Sequence, residues 1–538
     1  MTPHPLRVSA ALAAALLAIA PPAAPQSANP AVRGADATPR FAQQAGAAVP
    51  VTERTTSGQT PFDAACGDTS AVAYYGSEVE PHVAANPANP SNLIGVWQQD
   101  RFTNGGSRGL LTGVSLDGGF TWQVRQIAYS QCTGGEYQRA TDPWVSFGPD
   151  GTAHQIALAF SGASFTAASV SAVLVARSTD GGLTWSNPAT LIRDAGSAFF
   201  NDKETITADP TDARFVYATW DRLRQSGNAP TFFARSTDGG ISWEPARPIF
   251  DPGGNDQTIG NLIRVLPDGT LVDMFTLLGQ APPSIQVIRS SDRGVTWSAP
   301  IRVSAFGALG AYDQPSGTVI RDGSDIAQMA VAPDGSLAIV WQDGRFTGLR
   351  DAIAFSRSFD GGLTWSAPVR VNSDPGVVAF TPQVHVRDDG TIAVTYYDLR
   401  SNTSSTATLL ADYWLSRSRD GVNWIETRIS ASFDLAFAPR ADGAVFLGDY
   451  TGLTSSGNAF VPFYGRTNPD TLNRSDIVAA RAAPPALTAL KRFEDRDFDL
   501  QASIGHRAQA LPTAEPSREF WRAVLDNARR VIDSRPVR

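Results

Sequence analysis

The stretch STDGGLTW at residues 178–185 recurs as SFDGGLTW at residues 358–365. Four further segments repeat the same box with small changes, which makes six boxes in one chain. Their central aspartates, spaced 54 to 68 residues apart, are Asp117, Asp180, Asp238, Asp292, Asp360 and Asp420. Self-similarity at a period of tens of residues is typical of a repeat architecture.

Each box lies inside a larger repeated unit of about 60 residues that predicts four short strands. A turn rich in Pro, Asp, Asn and Gly precedes an apolar strand that ends in an aromatic and an acid, as in LAIVWQDGR at 337–345. We therefore predict an all-β fold, a β-propeller of four-stranded antiparallel blades. Counting first strands gives seven blades, the last completed by an N-terminal strand near 71–76; six blades with an appended hairpin is the alternative.

The box itself is predicted to be structural. Its aspartate can accept hydrogen bonds from its own turn, its glycines adopt backbone angles denied to other residues, and its tryptophan supplies an apolar plate for a seam between sheets. Six of the twelve tryptophans stand at this one position. Because a brace is needed in every blade and a reactive group only once, any reaction site should lie elsewhere.

Charge excludes some partners. The chain of 538 residues has a net charge of -8, so it has no overall basic field for nucleic acid or anionic lipid. Residues 1–28 have the basic, apolar and small-residue pattern of a signal peptide, whose apolar run is too short to span a bilayer. We predict a protein that does not span the membrane and is secreted, either extracellular or periplasmic.

The two cysteines, Cys66 and Cys132, are predicted to form one disulfide in an oxidising compartment, with two unpaired thiols as the alternative. Residues 29–65 read as a flexible leader and 66–483 as the propeller. Residues 484–515 look irregular, and the rest of 484–538 contains an amphipathic helix. Its apolar face, predicted to pack on the propeller flank or to bind a partner, carries Phe520, Trp521, Val524, Leu525, Ala528, Val531 and Ile532.

The pattern S-x-D-x-G-x-T-W resembles the Asp box, or BNR repeat, of the sialidase superfamily of β-propellers. The resemblance covers roughly residues 80–425 and is more specific for fold than for function. It implies an exo-α-sialidase-like protein with boxes on the turns between third and fourth strands. It also implies a site at the opposite end of the ring, and a hydrolase of acidic glycans.

Sialidases use a tyrosine nucleophile activated by a glutamate, an aspartate acid/base and arginines that hold the substrate carboxylate. On this sequence the resemblance implies Tyr450, Glu204 and Asp142 in those catalytic roles. The arginines implied as substrate ligands are Arg101, Arg222, Arg345 and Arg400. Several of these arginines closely follow an aspartate at the same strand end in different units. A repeated ion pair that fixes each loop is therefore the alternative interpretation.

Two other functions remain open. A propeller-type polysaccharide lyase acting on uronates would use His82, His154 or His385 as a base, and a non-catalytic propeller would bind a glycan or protein through its rim. No cofactor is predicted; calcium is conceivable in the Asp-rich turns, but no EF-hand ligand run is present. The predicted partner is a glycan or acidic polysaccharide, and the protein is predicted to be a monomer.

Overall fold

The computed structural model describes residues 40–43, 51–279, 282–483, 520 and 522–527. This part of the chain is nearly all β and forms four-stranded antiparallel sheets arranged as in a propeller. None of its helices is long and apolar enough to cross a membrane. The predicted signal peptide and the irregular segment 484–515 lie outside the described residues.

Groups of four strands, called blades here, follow one another along the chain, and a pairing of Ser107 with Ala140 joins the first two groups into one larger sheet. Blade 1 consists of Glu78–Asn86, Asn89–Arg101, Ser107–Ser115 and Gln123–Gln126. Blade 2 consists of Arg139–Phe147, Ala153–Ser161, Val170–Ser178 and Ala189–Ala195. Blade 3 consists of Phe199–Ala208, Val216–Arg224, Thr231–Ser236 and Arg247–Phe250.

The remaining blades follow the same order, except for the last. Blade 4 consists of Gln257–Val265, Leu271–Leu278, Ser284–Ser290 and Ile301–Ala305. Blade 5 consists of Gln328–Val331, Leu337–Asp343, Ala352–Ser358 and Val369–Arg370. Blade 6 consists of Ala379–Val386, Ile392–Asp398, Leu410–Ser418 and Asn423–Arg428. Blade 7 combines Gly452–Ser456, Ala459–Thr467, Ser475–Ala482 and the N-terminal strand Val51–Thr55.

The N-terminal strand of blade 7 corrects two predictions. Val51–Thr55 pairs antiparallel with Ser475–Ala482, so the closing strand is not the apolar segment near 71–76. That segment contributes an isolated bridge between Ala73 and Phe102. The β-branched residues of VTERT favour a strand, although the segment lies within the predicted leader. Within 29–65, Arg40–Gln43 also pairs, parallel to Asn423–Arg428 in blade 6.

The first strands of the blades line the axis of the ring. Each contacts the first strand of the next blade, and Gly452–Ser456 of blade 7 contacts Glu78–Asn86 of blade 1. Large apolar side chains fill the seams, among them Trp97, Trp220 and Trp341 of the second strands, all fully buried. Blade-to-blade contact thus closes the ring around its axis.

Short elements decorate the ring. The 3-10 helices are Gln131–Thr133, Gly344–Phe346 and Leu435–Phe437, and Phe433–Asp434 pairs with the third strand of blade 6. A small sheet joins Ile320–Arg321, from the loop between blades 4 and 5, to Arg440–Ala441 and Ala444–Phe446, from the loop between blades 6 and 7. This small sheet links two connections that the ring otherwise separates.

The six boxes form one kind of turn, always after the last residue of a third strand. In the second box, Asp180 accepts hydrogen bonds from the Ser178 hydroxyl (2.8 Å) and from the backbone N–H of Thr184 (2.9 Å). Gly182 has φ +94°, and a Cβ there would stand 2.6 Å from Ile94 of the preceding blade. The turn therefore braces one blade against the previous one, as predicted for the box.

Two further predictions concern the chain outside the blades. Cys66 and Cys132 form the predicted disulfide. The C-terminal helix is described at residues 520 and 522–527, where Phe520 and Val524 pack on Leu309 and Asn527 donates to the carbonyl of Ala308 (3.1 Å). Leu309 and Asn527 line the cavity described below, so the helix lies beside that cavity.

Candidate active site

A cavity of ≈ 1480 Å³ opens at the end of the ring opposite the boxes. The starts of the first strands, the loops between second and third strands and the connections between blades all reach this end. In an antiparallel blade those points share one edge, and the turns that hold the boxes share the other. The segments of its lining include 67–70, 104–106, 138–142, 200–203, 309–312, 316–326 and 440–444.

A repeated backbone irregularity aims side chains at the axis. The first strands of blades 1, 2 and 3 each contain a β-bulge, and the residue at the bulge has a left-handed φ: Glu80 (+52°), Asp142 (+49°) and Lys203 (+51°). Gly260 and Thr381 hold the equivalent positions in blades 4 and 6. Bulges redirect side chains, and a left-handed non-glycine residue costs about 1 kcal/mol or more.

The three bulge residues meet in one charge cluster on the cavity floor. Lys203 Nζ lies 3.1 Å from Glu80 Oε1 and 2.7 Å from Asp142 Oδ1. It also lies 2.8 Å from Oδ2 of Asp449, which precedes the first strand of blade 7. Arg321 of the small sheet binds both Asp449 oxygens, at 3.0 and 2.7 Å. Three blades, the connection to blade 7 and the small sheet thus contribute to a single ion network.

Burial and neighbouring charges separate the acids of this network. Burial, reinforced by Asp142 and Asp449, raises the pKa of Glu80 to about 8 despite the opposing charge of Lys203. Burial alone would also raise the pKa of Asp449, but Arg321 and Lys203 hold it well below the usual value. The pKa of Lys203 is raised: burial acts to lower it, but the three carboxylates outweigh that effect. Neighbouring carboxyls of opposite protonation are the arrangement that acid/base chemistry requires.

Arg101 is the predicted substrate ligand that lies in this cavity. It is 3% exposed, its Nη1 donates to Gln98 Oε1 (2.7 Å), and its guanidinium lies 4.8 Å from the Phe446 ring. Its Nε is buried without a hydrogen-bond partner. In the described part of the chain no carboxylate lies within ion-pair distance of Arg101. By contrast Arg139, also in the lining, pairs with Asp68.

The other three predicted arginines do not line the cavity. Arg345 pairs with Asp343 (2.6 Å) and Arg400 with Asp398 (2.6 Å), the loop-fixing pairs of the alternative interpretation. Arg222 instead pairs with Asp194 (2.5 Å) and lies 3.7 Å above the ring of Phe199. Their role as substrate ligands stays a prediction, and their positions outside the cavity do not support it.

Of the predicted catalytic residues, Asp142 lines the cavity, whereas Glu204 and Tyr450 do not. The Tyr450 ring lies edge-on to Trp144 (5.4 Å) and 5.6 Å from Lys203 Nζ. Burial raises its pKa well above the usual value, and the carboxyls of Glu80, Asp142 and Glu204 add to this. Both Glu204 oxygens are buried without hydrogen bonds, and burial raises its pKa strongly. Burial thus favours the neutral form of both Glu204 and Tyr450.

The three histidines considered as bases are structural. His82 stacks on Trp144 with ring centroids 3.7 Å apart, and burial lowers its pKa well below the usual value. Burial also lowers the pKa values of His154 and His385, each to about 4. None of the three lines the cavity.

The sequence assigned no catalytic or binding role to Glu80, Arg321, Lys203 or Asp449. One signal was present: the bulge residue precedes proline in E-P-H-V (80–83), D-P-W-V (142–145) and T-P-Q-V (381–384). Proline within a strand is found at bulges or edges, so aligning these first strands would have indicated the bulge. Arg321 has no such signal because its place depends on the pairing of two distant loops.

In comparisons with known proteins, no family model and no curated protein matches the sequence. Among solved structures, similar ones include a protein of unknown function from Dyadobacter fermentans, 14% identical, with a TM-score of 0.41; the match covers 75% of this chain and 94% of that one. A Hadza microbial sialidase is 17% identical, with a TM-score of 0.40 and coverage of 74% and 75%. An α-L-arabinofuranosidase mutant of Fusarium graminearum is 13% identical, with a TM-score of 0.42 and coverage of 60% and 88%.

Proposed function

We propose that this chain is a sialidase-like glycoside hydrolase that acts on acidic glycans at the cavity floor. The observation that carries the proposal is the trio of carboxylates held around Lys203 beside Arg101, which has no carboxylate partner. Most glycoside hydrolases use two carboxyl groups, one protonated and one ionised, on either side of the bond.

In this proposal Glu80 is the general acid. Its raised pKa keeps a proton available near neutral pH, and its Oε2 has no hydrogen-bond partner to hold that proton. Asp142, ion-paired to Lys203, is the ionised partner that attacks the anomeric carbon or activates water. Both carboxylate oxygens lie within 3.1 Å of one nitrogen, so their separation cannot exceed twice that distance. Such a short separation is typical of the retaining mechanism.

Arg101 is proposed to bind the acidic group of the substrate. A guanidinium can meet a carboxylate with two parallel hydrogen bonds, and burial strengthens that contact. Arg440, on the rim of the same cavity, also has no carboxylate within ion-pair distance in the described part of the chain. An acidic sugar would therefore find positive charge next to the acid/base pair.

Exo-α-sialidase specificity is the finer form of this proposal, with Tyr450 as nucleophile, Glu204 as its base and Asp142 as acid/base. The proximity of Tyr450 to Lys203 favours it, while the burial of the phenol favours the carboxylate pair.

A non-catalytic binding propeller is the second candidate, because Arg139, Lys203 and Arg321 are already neutralised by protein carboxylates. Export from the cell is proposed as well, in keeping with the disulfide.

The test is the release of a fluorescent aglycone from an α-sialoside, an aryl glucuronide and an aryl arabinofuranoside. We expect Glu80→Gln and Asp142→Asn to lower kcat by about 10³-fold or more, because each removes a group that moves a proton or forms a bond. Arg101→Gln should raise KM for acidic substrates about 10-fold through a lost charge-assisted contact. Arg419→Gln, at an exposed arginine that pairs with Asp389 and does not line the cavity, is the matched control and should change neither constant.

Tyr450→Phe separates the two hydrolase forms. Loss of activity in this variant, with the fold retained, would support the tyrosine nucleophile; full activity would support the carboxylate pair. If wild-type protein releases none of the three aglycones but binds sialyllactose or an oligouronide, the non-catalytic propeller is correct and the hydrolase proposal fails.

A further inference from the structure

The cation at the centre of the cavity floor is of a kind that the chain hardly uses. Of the 44 Lys and Arg residues only two are lysines, Lys203 and Lys491. Every other ion pair among the described residues takes its positive charge from an arginine, as in the pairs of Arg345 and Arg400. A lysine at the axis therefore meets a requirement that arginine does not.

That requirement is geometric. The three carboxylate oxygens around Lys203 Nζ come from blades 1 and 2 and from the connection to blade 7. A planar guanidinium presents its donors as a flat fork, which suits one or two carboxylates in its plane. An ammonium group is a compact charge with three donors, so it can serve three oxygens arranged around a point.

The backbone of Lys203 also adopts an unfavourable conformation that directs this ammonium group toward the axis. Lys203 has a left-handed φ of +51°, which a residue with a Cβ adopts at a cost, and its side chain is only 10% exposed. The charged groups that face it are Glu80, Asp142 and Asp449 in contact and Asp202 nearby, with the Tyr450 ring below. The strain, the burial and the three ion pairs together indicate that Lys203 has a specific role at the cavity floor.

We propose that Lys203 is a positioning residue that acts as the built-in cation of the site, its ammonium group occupying the point between three carboxylates where a metal ion would otherwise be needed. The inference rests on the proposed function in taking the floor as the place of the reaction. In the described part of the chain, no three acidic, histidine or cysteine side chains are arranged to hold a metal ion. The oxygens stand 2.7 to 3.1 Å from Nζ, wider than the 2.3–2.6 Å of a calcium site.

The first experiment removes the Lys203 ammonium group and tests whether a small cation can take its place. Lys203→Ala should leave a hole that a small cation can enter, whereas Lys203→Met removes the charge but fills the space. We expect ammonium chloride and calcium chloride to raise the thermal midpoint of Lys203→Ala by several degrees through binding to the folded state. Tetramethylammonium chloride, too large for the hole, should not do so. Wild type and Lys203→Met should not respond to any of the three salts beyond their common salt effect.

The proposal is overturned if Lys203→Ala responds to these salts no more than Lys203→Met does. If Lys203→Ala does not fold in any salt, wild-type protein labelled with [¹⁵N]lysine decides, because only two side-chain amine signals exist and Lys491→Arg assigns them. We expect the Lys203 signal to stay protonated to a higher pH than the Lys491 signal, with slowly exchanging protons. An amine that titrates and exchanges like that of a free lysine would overturn the proposal. No arm requires turnover, so failure here and failure of the hydrolase proposal are distinguishable.

Discussion

The box aspartates and the axial carboxylates show how the same chemical group can be used in opposite ways. Asp180 on the outer turn is exposed, both its oxygens accept hydrogen bonds from its own box, and its pKa is lowered. Glu80 at the axis is buried on strained backbone, has one oxygen without a partner, and has a raised pKa. The box turn itself donates the hydrogen bonds that stabilise its aspartate, whereas the axial carboxylates share one lysine that is distant in sequence.

This contrast separates scaffold from site. A carboxylate whose partners lie within its own turn stabilises that turn whatever happens elsewhere. A carboxylate whose partner comes from another blade is stable only in the closed ring, and its protonation can respond to a substrate. Repetition therefore marks the first class, and irregular residues at a repeated bulge mark the second.

The largest expected effect comes from breaking the axial cluster. Lys203→Met leaves three buried carboxylates without their shared cation, and breaking a buried ion pair in this way typically costs about 3–5 kcal/mol. We expect a loss of that order in the free energy of unfolding, measured in urea. Arg419→Ala, which removes an exposed charge paired with Asp389, is the control and should change stability little. Equal effects of the two substitutions would refute the contrast drawn here.

A smaller effect is expected at a box. Asp180→Ala removes an acceptor of three hydrogen bonds from Ser178 and Thr184, for a cost of about 2 kcal/mol in the free energy of unfolding. Thr179→Ala in the same turn, where no side-chain hydrogen bond is made, is the matched control. Hydrolytic activity should be the same in both variants. A loss of kcat in Asp180→Ala at a temperature where it is folded would show that the box takes part in the reaction.

The third expected effect is a difference in the pH dependence of the free energy of unfolding. Glu80 has a folded-state pKa of about 8, so its contribution to stability is complete below about pH 4.5 and is lost as the pH rises through 8. The lowered pKa values of box residues such as Asp238, about 2, act in the opposite direction, and their contribution is lost as the pH falls through 2.

Glu80→Gln tests this sign. Between pH 5 and 8 the wild type should lose up to about 1.4 kcal/mol per pH unit for each proton released on unfolding, and the variant should lose correspondingly less. Asp351, whose burial raises its pKa to about 8, supplies a background slope common to both proteins. Identical slopes in wild type and variant would show that Glu80 is ionised in the folded protein.

The sequence predicted the repeat and its brace well because both are local. The turn chemistry of S-x-D-x-G-x-T-W and the alternation of the strands act within about 60 residues, so reading one unit predicts the others. The positions of Asp142 and Arg101 at the cavity could be predicted for a related reason, since strand ends in this fold converge on one edge.

The rest of the site depends on contacts that no local pattern contains. Arg321 reaches Asp449 through a sheet formed by loops more than a hundred residues apart. Glu80 was missed because His82, two residues later, is a more usual catalytic base. In the structure His82 stacks on Trp144. Tyr450 and Glu204 were chosen because they do not repeat, but both are as buried as Glu80 and Asp142, so only the three-dimensional structure shows which of these residues line the cavity.

The strand Val51–Thr55 gives the ring a definite order of assembly. Its neighbour in blade 7 is far along the chain: the contact of Thr56 with Ile477 spans 421 residues. The strand Val51–Thr55 is synthesised first and therefore has no partner until nearly the whole propeller has been synthesised, and bringing such distant segments together is slow. A chain shortened to begin after residue 56 would keep every box and every axial charge, yet would leave the edge of blade 7 open to other chains.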